Sequence, residues 1–198
     1  WRPHSSGCRW TMSKTVKRTR IRIKPKKGPV FQMRIAGLGF SNGHVLVHRA
    51  KHEPFWTFPG GRAEIGETSQ ETLAREMEEE LGHTVAVGRL LWSVENFFHY
   101  EDRDWHEFAL YYVMDIPPEF PFSDTGEIVH ENRDGKNHLE FKWVPATHAA
   151  LAELDIPPYF IAAEIENLPE TTRHLVWDDR NLDSAETRAK MRDGVFDP

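Results

Sequence analysis

The stretch from Thr68 to Gly82 fixes both ends of one helix by itself. Thr68 can cap a helix start, Glu71 three residues later completes a capping box, and Gly82 supplies the stop. The spacing therefore predicts a helix over 69–81. Leu73, Met77 and Leu81 form its apolar stripe, which needs a core to cover it. Glu76, Glu79 and Glu80 share an arc of about 100° beside that stripe. Carboxylates at this spacing repel, each like-charged pair costing roughly 0.2–0.5 kcal/mol even in water. Hard divalent cations remove the repulsion and take oxygen ligands. A solvated acidic face is common on surface helices, so the ridge alone does not decide its use. Its surroundings weigh for a cation. Arg75 lies beside Glu79 and Glu71, where it can brace the ridge without occupying it. Gly60-Gly61 permits a backbone path close to the helix, where a carbonyl could approach a metal or a phosphate.

The remaining pattern reads as strands with a few helices. Residues 29–40 and 44–50 are apolar and rich in β-branched side chains, with Ser41-Asn42-Gly43 as a hairpin turn between them. Residues 51–66 read as a loop. Strands are expected over 84–95 and 107–116, joined through an aromatic stretch and the charged turn Glu101–Asp104, and again over 139–144. Helices are expected near 147–154, 158–167 and 184–193, the last with Ser184 as cap and Gly194 as stop. Strands and helices mix without regular alternation, which favours a mixed sheet with helices packed on it.

Composition closes off several classes. Of 198 residues one is cysteine, Cys8, so neither an intramolecular disulfide nor a multi-cysteine zinc site is available. The longest apolar run, Phe108–Met114, is too short to span a membrane. No secretory signal is visible, and a cytoplasmic location is the expectation. Charge is uneven. Residues 1–52 hold thirteen Lys or Arg and no acid, whereas the rest carries a net −19. A basic arm on an acidic body fits a nucleic-acid contact or a solvated tail. The strict alternation of Arg18–Lys24, with Thr19, Ile21 and Ile23 on one face, favours an edge strand instead. Met12 reads as a start, with residues 1–11 an extension before it. Gly37-Leu-Gly39 has the wrong spacing for a dinucleotide loop and precedes a strand. His44, His48 and His52 read as ordinary surface or hairpin histidines. No Gly-x-Ser-x-Gly elbow occurs.

The string Gly61–Gly82 resembles the Nudix box: Gly, five residues, Glu, seven residues, Arg-Glu, an aliphatic, any residue, Glu-Glu, any residue, Gly, an aliphatic. Gly61, Glu67, Arg75, Glu76, Met77, Glu79, Glu80 and Gly82 match, and His83 departs at a packing position. Phe55–Gly61 looks like the family's approach to its box. Val94–Phe98, His106-Glu107 and the segments Asn167–Glu170 and His174–Val176 are similar to a bacterial branch labelled ADP-ribose-pyrophosphatase-like. The resemblance covers 29–180, between a basic segment 1–28 and a C-terminal helix and tail 181–198. It implies an α/β/α sandwich with a mixed sheet. It also implies Mg²⁺- or Mn²⁺-dependent hydrolysis of a nucleoside diphosphate linked to another moiety, by a metal-activated water attacking phosphorus. By position, Glu76, Glu79 and Glu80 would be ligands, with the Gly60 carbonyl adding one. Gly61, Glu67 and Arg75 would support them. Glu79 or Glu80 would take the proton. Glu140 is the rival base outside the box, with Glu107 and Glu131 also open. Aromatics near the mouth are Phe55, Trp56, Phe97, Phe98, Tyr100 and Trp105. One or two could stack on a base, the others serving as core or as a dimer surface. The aromatic hairpin at 96–112 makes a homodimer plausible. A regulator without catalysis and an RNA-directed (cap or 5′-end) hydrolase using the basic arm are the alternatives. A Nudix-fold isomerase would want a cysteine in the body, and none is there.

Overall fold

The computed structural model describes residues 18–134, 137–154 and 156–180. The expectations for residues 1–17, Cys8 among them, and for the helix at 184–193 lie outside these. The described elements, in chain order, are β1 (Arg22–Ile23), β2 (Val30–Ser41), β3 (His44–Ala50), β4 (Gly60–Arg62), α1 (Ser69–Leu81), β5 (Ala86–Tyr100), β6 (Arg103–Asp115), β7 (His130–Asp134), β8 (Asn137–Pro145), α2 (His148–Glu153), α3 (Phe160–Glu164) and β9 (Arg173–Asp178). The strands form a mixed sheet in the order β7-β8-β3-β2-β6-β5-β9, with β1 and β4 also paired to β2. Parallel pairing occurs between β2 and β6 and between β5 and β9. Helix α1 covers one face and α2 with α3 the other, so the fold is an α/β/α sandwich.

Alternation along the strands sorts the side chains between the two layers. Ile35 of β2, Leu46 of β3 and Phe141 and Trp143 of β8 meet Leu73, Met77 and Leu81 of α1. Ala36, Val45, Val47, Trp92 and Tyr111 point the other way, against Leu151, Phe160 and Ile161. The stripe Leu73-Met77-Leu81 is thus fully used, at about 2 kcal/mol per buried side chain.

Helix α1 begins and ends where its sequence says it should. The Thr68 hydroxyl accepts from the Glu71 amide at 3.2 Å, and Glu71 accepts from the Thr68 amide at 2.8 Å. Gly82 takes φ 70° and donates to the Glu78 carbonyl. The last carbonyls are covered by β7. Asn132 Nδ2 donates to those of Glu79 and Glu80 (2.6 and 2.8 Å), and His130 Nε2 donates to that of Glu80 (3.0 Å).

Several expectations need correction. The aromatic stretch is not a connection: β5 runs through it to Tyr100, β6 starts at Arg103, and Glu101 and Asp102 make the turn at φ 52° and 56°. Part of the loop at 51–66 is β4, held by pairing Gly60–Arg62 with Ala36–Arg34. β7 and β9 were not expected, and both α2 and α3 are shorter than their patterns. The edge strand at 18–24 shrinks to an isolated bridge at Arg20 and the two residues of β1. Ile21 packs on the core while Ile23 is exposed.

Candidate functional site

Arg75 organises the acidic ridge. Its Nε donates to Glu67 Oε1 at 2.9 Å, and its Nη1 donates to Glu76 Oε1 at 2.8 Å and to Glu79 Oε2 at 3.2 Å. Its Nη2 reaches the Arg62 carbonyl at 3.4 Å. Burial works against the charge on Arg75, but its hydrogen bonds to Glu67 and Glu76 outweigh it and hold the guanidinium protonated. Burial pushes the Glu76 carboxyl up. Arg75 opposes that push, and the charges of Glu80 and Glu79 add to it. Glu71, the other expected neighbour of Arg75, is spent on the cap instead.

Glu80 turns inward from the same helix face. It is buried, and its Oε2 lies 3.3 Å from Nδ1 of buried His48 on β3, without hydrogen-bond geometry for either atom. His48 is therefore not a surface histidine as its sequence pattern indicates: alternation in β3 turns it toward α1 beside Leu46. Glu64, which the sequence did not single out, is a second buried carboxylate with an unpartnered oxygen. Its neighbour is Arg18, whose Nε lies 3.7 Å from Glu64 and whose Nη1 lies 3.3 Å from Glu79. Thus the described part of the basic segment lies back on the acidic body.

The donor set fits a hard divalent cation. Three carboxylates come from one helix, and two buried carboxylate oxygens make no hydrogen bond, Glu64 Oε2 with Arg18 at 3.7 Å and Glu80 Oε2 with His48 at 3.3 Å as their nearest basic groups, which leaves oxygen lone pairs of the kind a hard cation takes. As they stand, Glu76 and Glu79 are held by arginine, and among the described residues no three such groups converge closely enough to grip an ion.

β4 joins this ridge to a cavity. A Cβ on Gly61 would lie 2.1 Å from Glu76 Cδ, so a residue without a side chain is what lets the carboxylate reach the strand. The next residue, Arg62, lines a cavity of about 330 Å³ on the opposite face of the sheet. Its floor is polar: Arg62 Nε donates to Gln32 Oε1 at 2.7 Å, and Gln32 Nε2 donates to Glu107 Oε2 at 2.5 Å. Burial, then the nearby charges of Arg22, Arg34 and Arg20, pulls Arg62 down to about 10. Phe55, Phe98, Tyr100 and Trp105 form aromatic walls, with the Phe98 and Trp105 rings stacked nearly parallel at 5.9 Å. Trp56 lies elsewhere, buried between Arg49 and Lys142, and Phe97 stacks on His106. Gln32 and Arg34 were missed, although two polar residues alternating inside an apolar strand were the signal.

Asp179 stands on the cavity lining, where burial and then Asp178 push its carboxyl up to about 6. In the unfolded chain it ionises at its ordinary lower value, so stability falls as pH rises through that window. The Asp179→Asn variant is expected to melt higher than wild type near about pH 7 and alike near about pH 3. Thermal melts at the two pH values check this.

Glu140 is not brought to the ridge. Leu139, Phe141 and Trp143 of β8 face α1, so Glu140 between them faces the other layer. There Arg49 Nε and Nη2 bind its Oε2 at 3.0 and 2.9 Å, and Lys51 lies 3.1 Å from Oε1. Burial opposes its charge, yet Lys51 and Arg49 hold its carboxyl below the usual range, which suits a proton acceptor poorly. Glu107 is spent on Gln32, and Glu131 pairs with His138 at 3.1 Å.

The sequence model described as "NUDIX domain" matches residues 32–163. The chain is 30% identical over 78 residues to the Bacillus subtilis (strain 168) protein named "Putative ADP-ribose pyrophosphatase YjhB", across 39% of this chain and 38% of that one. It is 46% identical over 44 residues to an 8-oxo-dGTP diphosphatase of Proteus vulgaris, across 22% of this chain and 39% of that one. The chain thus spans about two fifths of the length of these two curated relatives. Among solved structures, a MutT protein from Bacillus halodurans overlays 72% of this chain and 89% of its own, with TM-score 0.48 at 20% identity.

Proposed function

Since the chain belongs to the NUDIX domain family, we propose that it hydrolyses the pyrophosphate linkage of a nucleoside diphosphate joined to another moiety. The observation that carries this reading is the acidic ridge of α1, with the buried Glu80 oxygen that makes no hydrogen bond, set against β4 and the aromatic, arginine-lined cavity beyond it. Glu76, Glu79 and Glu80, with the Gly60 carbonyl, would hold Mg²⁺ or Mn²⁺. Such a cation, when bound, supplies charge neutralisation at the phosphate oxygens and a more acidic water.

The chain's own groups divide the other tasks. Arg75 holds Glu67 and Glu76 in place and offsets their mutual repulsion. Gly61 keeps the strand close to Glu76. Glu80 takes the proton of the attacking water on its carboxylate. Arg62 and Arg34 attract the phosphates, and the aromatic walls take the base. Glu140 has no part in this scheme.

A panel of ADP-ribose, nucleoside diphosphate sugars, dinucleoside polyphosphates and oxidised nucleoside triphosphates, read by product mass with Mg²⁺ or Mn²⁺ present, tests the reading. At least one is expected to be cleaved between phosphorus atoms, and chelation with EDTA is expected to stop it. Survival of every diphosphate overturns the hydrolase; turnover unchanged in EDTA overturns the cation. No helix among the described residues is long and apolar enough to cross a membrane. A homodimer, the remaining expectation, is checked by light scattering at micromolar concentration: an apparent monomer removes it.

A further inference from the structure

The cavity floor contains one polar group left over. On β5, Asn96 is opposite Glu107 of β6, and their side chains share the cavity with Gln32 of β2. All three are buried, Asn96 at 6% exposure. Along the row from Arg62 to Gln32 to Glu107, Arg62 Nε donates to Gln32 and Gln32 Nε2 donates to Glu107. Asn96 lies at the end of that row, and its amide oxygen has no hydrogen-bond partner. An acceptor buried without a donor is costly to leave so and is rare in folded proteins. Asn96 lines a cavity walled by aromatic rings; its oxygen is closed off beneath that surface, and a planar ligand in the cavity reaches it by a rotation of the amide.

We infer that Asn96 is a specificity-determining residue that selects an adenine base, its amide oxygen accepting from the exocyclic 6-amino group. An asparagine amide carries a donor and an acceptor side by side, which complements the donor and acceptor along adenine's edge. The 6-oxo group of hypoxanthine or guanine presents an acceptor to that same oxygen and leaves it unpaired. Phe55, Phe98 and Tyr100 supply the aromatic surface of the cavity, with Trp105 buried behind Phe98, and Arg62 lies on the side leading through β4 to the ridge. This inference rests on the nucleotide reading given above, but not on turnover.

The test is therefore binding of unreactive monophosphates to the intact protein, by titration calorimetry. AMP is compared with purine riboside 5′-monophosphate, which lacks the amino group, and with IMP and GMP. Wild type is expected to bind AMP about tenfold more tightly than the other three. In Asn96→Ala the four are expected to bind within about twofold of one another, through loss of the AMP advantage alone. Asn96→Asp, which keeps an acceptor there, is expected to retain the preference for AMP over purine riboside monophosphate. Equal binding of AMP and purine riboside monophosphate by wild type, tighter binding of GMP, or a preference that persists in Asn96→Ala overturns the assignment. Should Asn96→Ala fail to fold by thermal melt, the wild-type and Asn96→Asp comparisons decide it alone. A base preference without any diphosphate cleavage overturns the hydrolase and leaves Asn96 standing. Cleavage that is indifferent to the base does the reverse.

Discussion

Glu80→Gln is expected to lower kcat by a factor of about 100 or more while the protein melts within a few degrees of wild type. Glu and Gln have the same shape, so the packing of this buried side chain against β3 is kept. What changes is charge: the amide neither accepts the water's proton nor holds a cation as a carboxylate does. The fold does not depend on that charge, because Glu80 Oε2 makes no hydrogen bond and His48 Nδ1 faces it at 3.3 Å without hydrogen-bond geometry. An amide there is free to pair with the histidine. Steady-state kinetics on a cleaved substrate, beside a thermal melt, measures both halves. Near-normal turnover would remove Glu80 from the chemistry and leave it as a packing partner of His48.

Gly60→Ala carries the largest expected loss of stability, on the order of 4 kcal/mol. Gly60 has φ 146°, a conformation that side chains disfavour, and an added Cβ would lie 2.1 Å from the Ile35 carbonyl oxygen and 2.7 Å from the Ala36 Cα. Those atoms are the backbone of β2, which is pinned on its far side by β6 through the pairs Ile35↔Leu110 and Ala36↔Tyr111. The strand has nowhere to go. A melting temperature lowered by roughly 10 °C or more is the expected result. Gly61→Ala provides the contrast. Its collision is with the Glu76 carboxyl, the movable end of a side chain, so the sheet tolerates it while Glu76 is driven off Arg75 and activity falls. Equal melting of the Gly60 variant and wild type would mean that β4 can lift away from β2.

How much of this was legible from residues depends on how local each cause is. Helix α1 was readable to its ends because a threonine, a glutamate and a glycine within one segment specify it. The turn at Asn42-Gly43 was equally readable, both residues adopting positive φ. β4 was not, because two glycines and an arginine have no strand pattern; pairing with Ala36, Ile35 and Arg34 creates the strand. β7 is similar, its polar residues recruited to cap α1. Glu140 shows the limit most clearly. Leu139, Phe141 and Trp143 announce one buried face, but nothing in the chain says that α1 lies on it, and so the glutamate's distance from the ridge could not be read. The cavity depended on residues from β2, β4, β5 and β6 meeting, a non-local event. Within those strands, the aromatics Phe98, Tyr100 and Trp105 and the polar Gln32 and Arg34 among apolar neighbours gave notice of it.

The adjacency of Gly61 and Arg62 has one more consequence. Successive residues of a strand project to opposite sides, so the ridge and the cavity are held one peptide unit apart by backbone rather than by adjustable side chains. On the proposed reading, that makes β4 a ruler. The number of atoms between a substrate's base and its scissile linkage is metered there, and a chain of phosphates one unit too long or too short would be gripped at one end and miss the other.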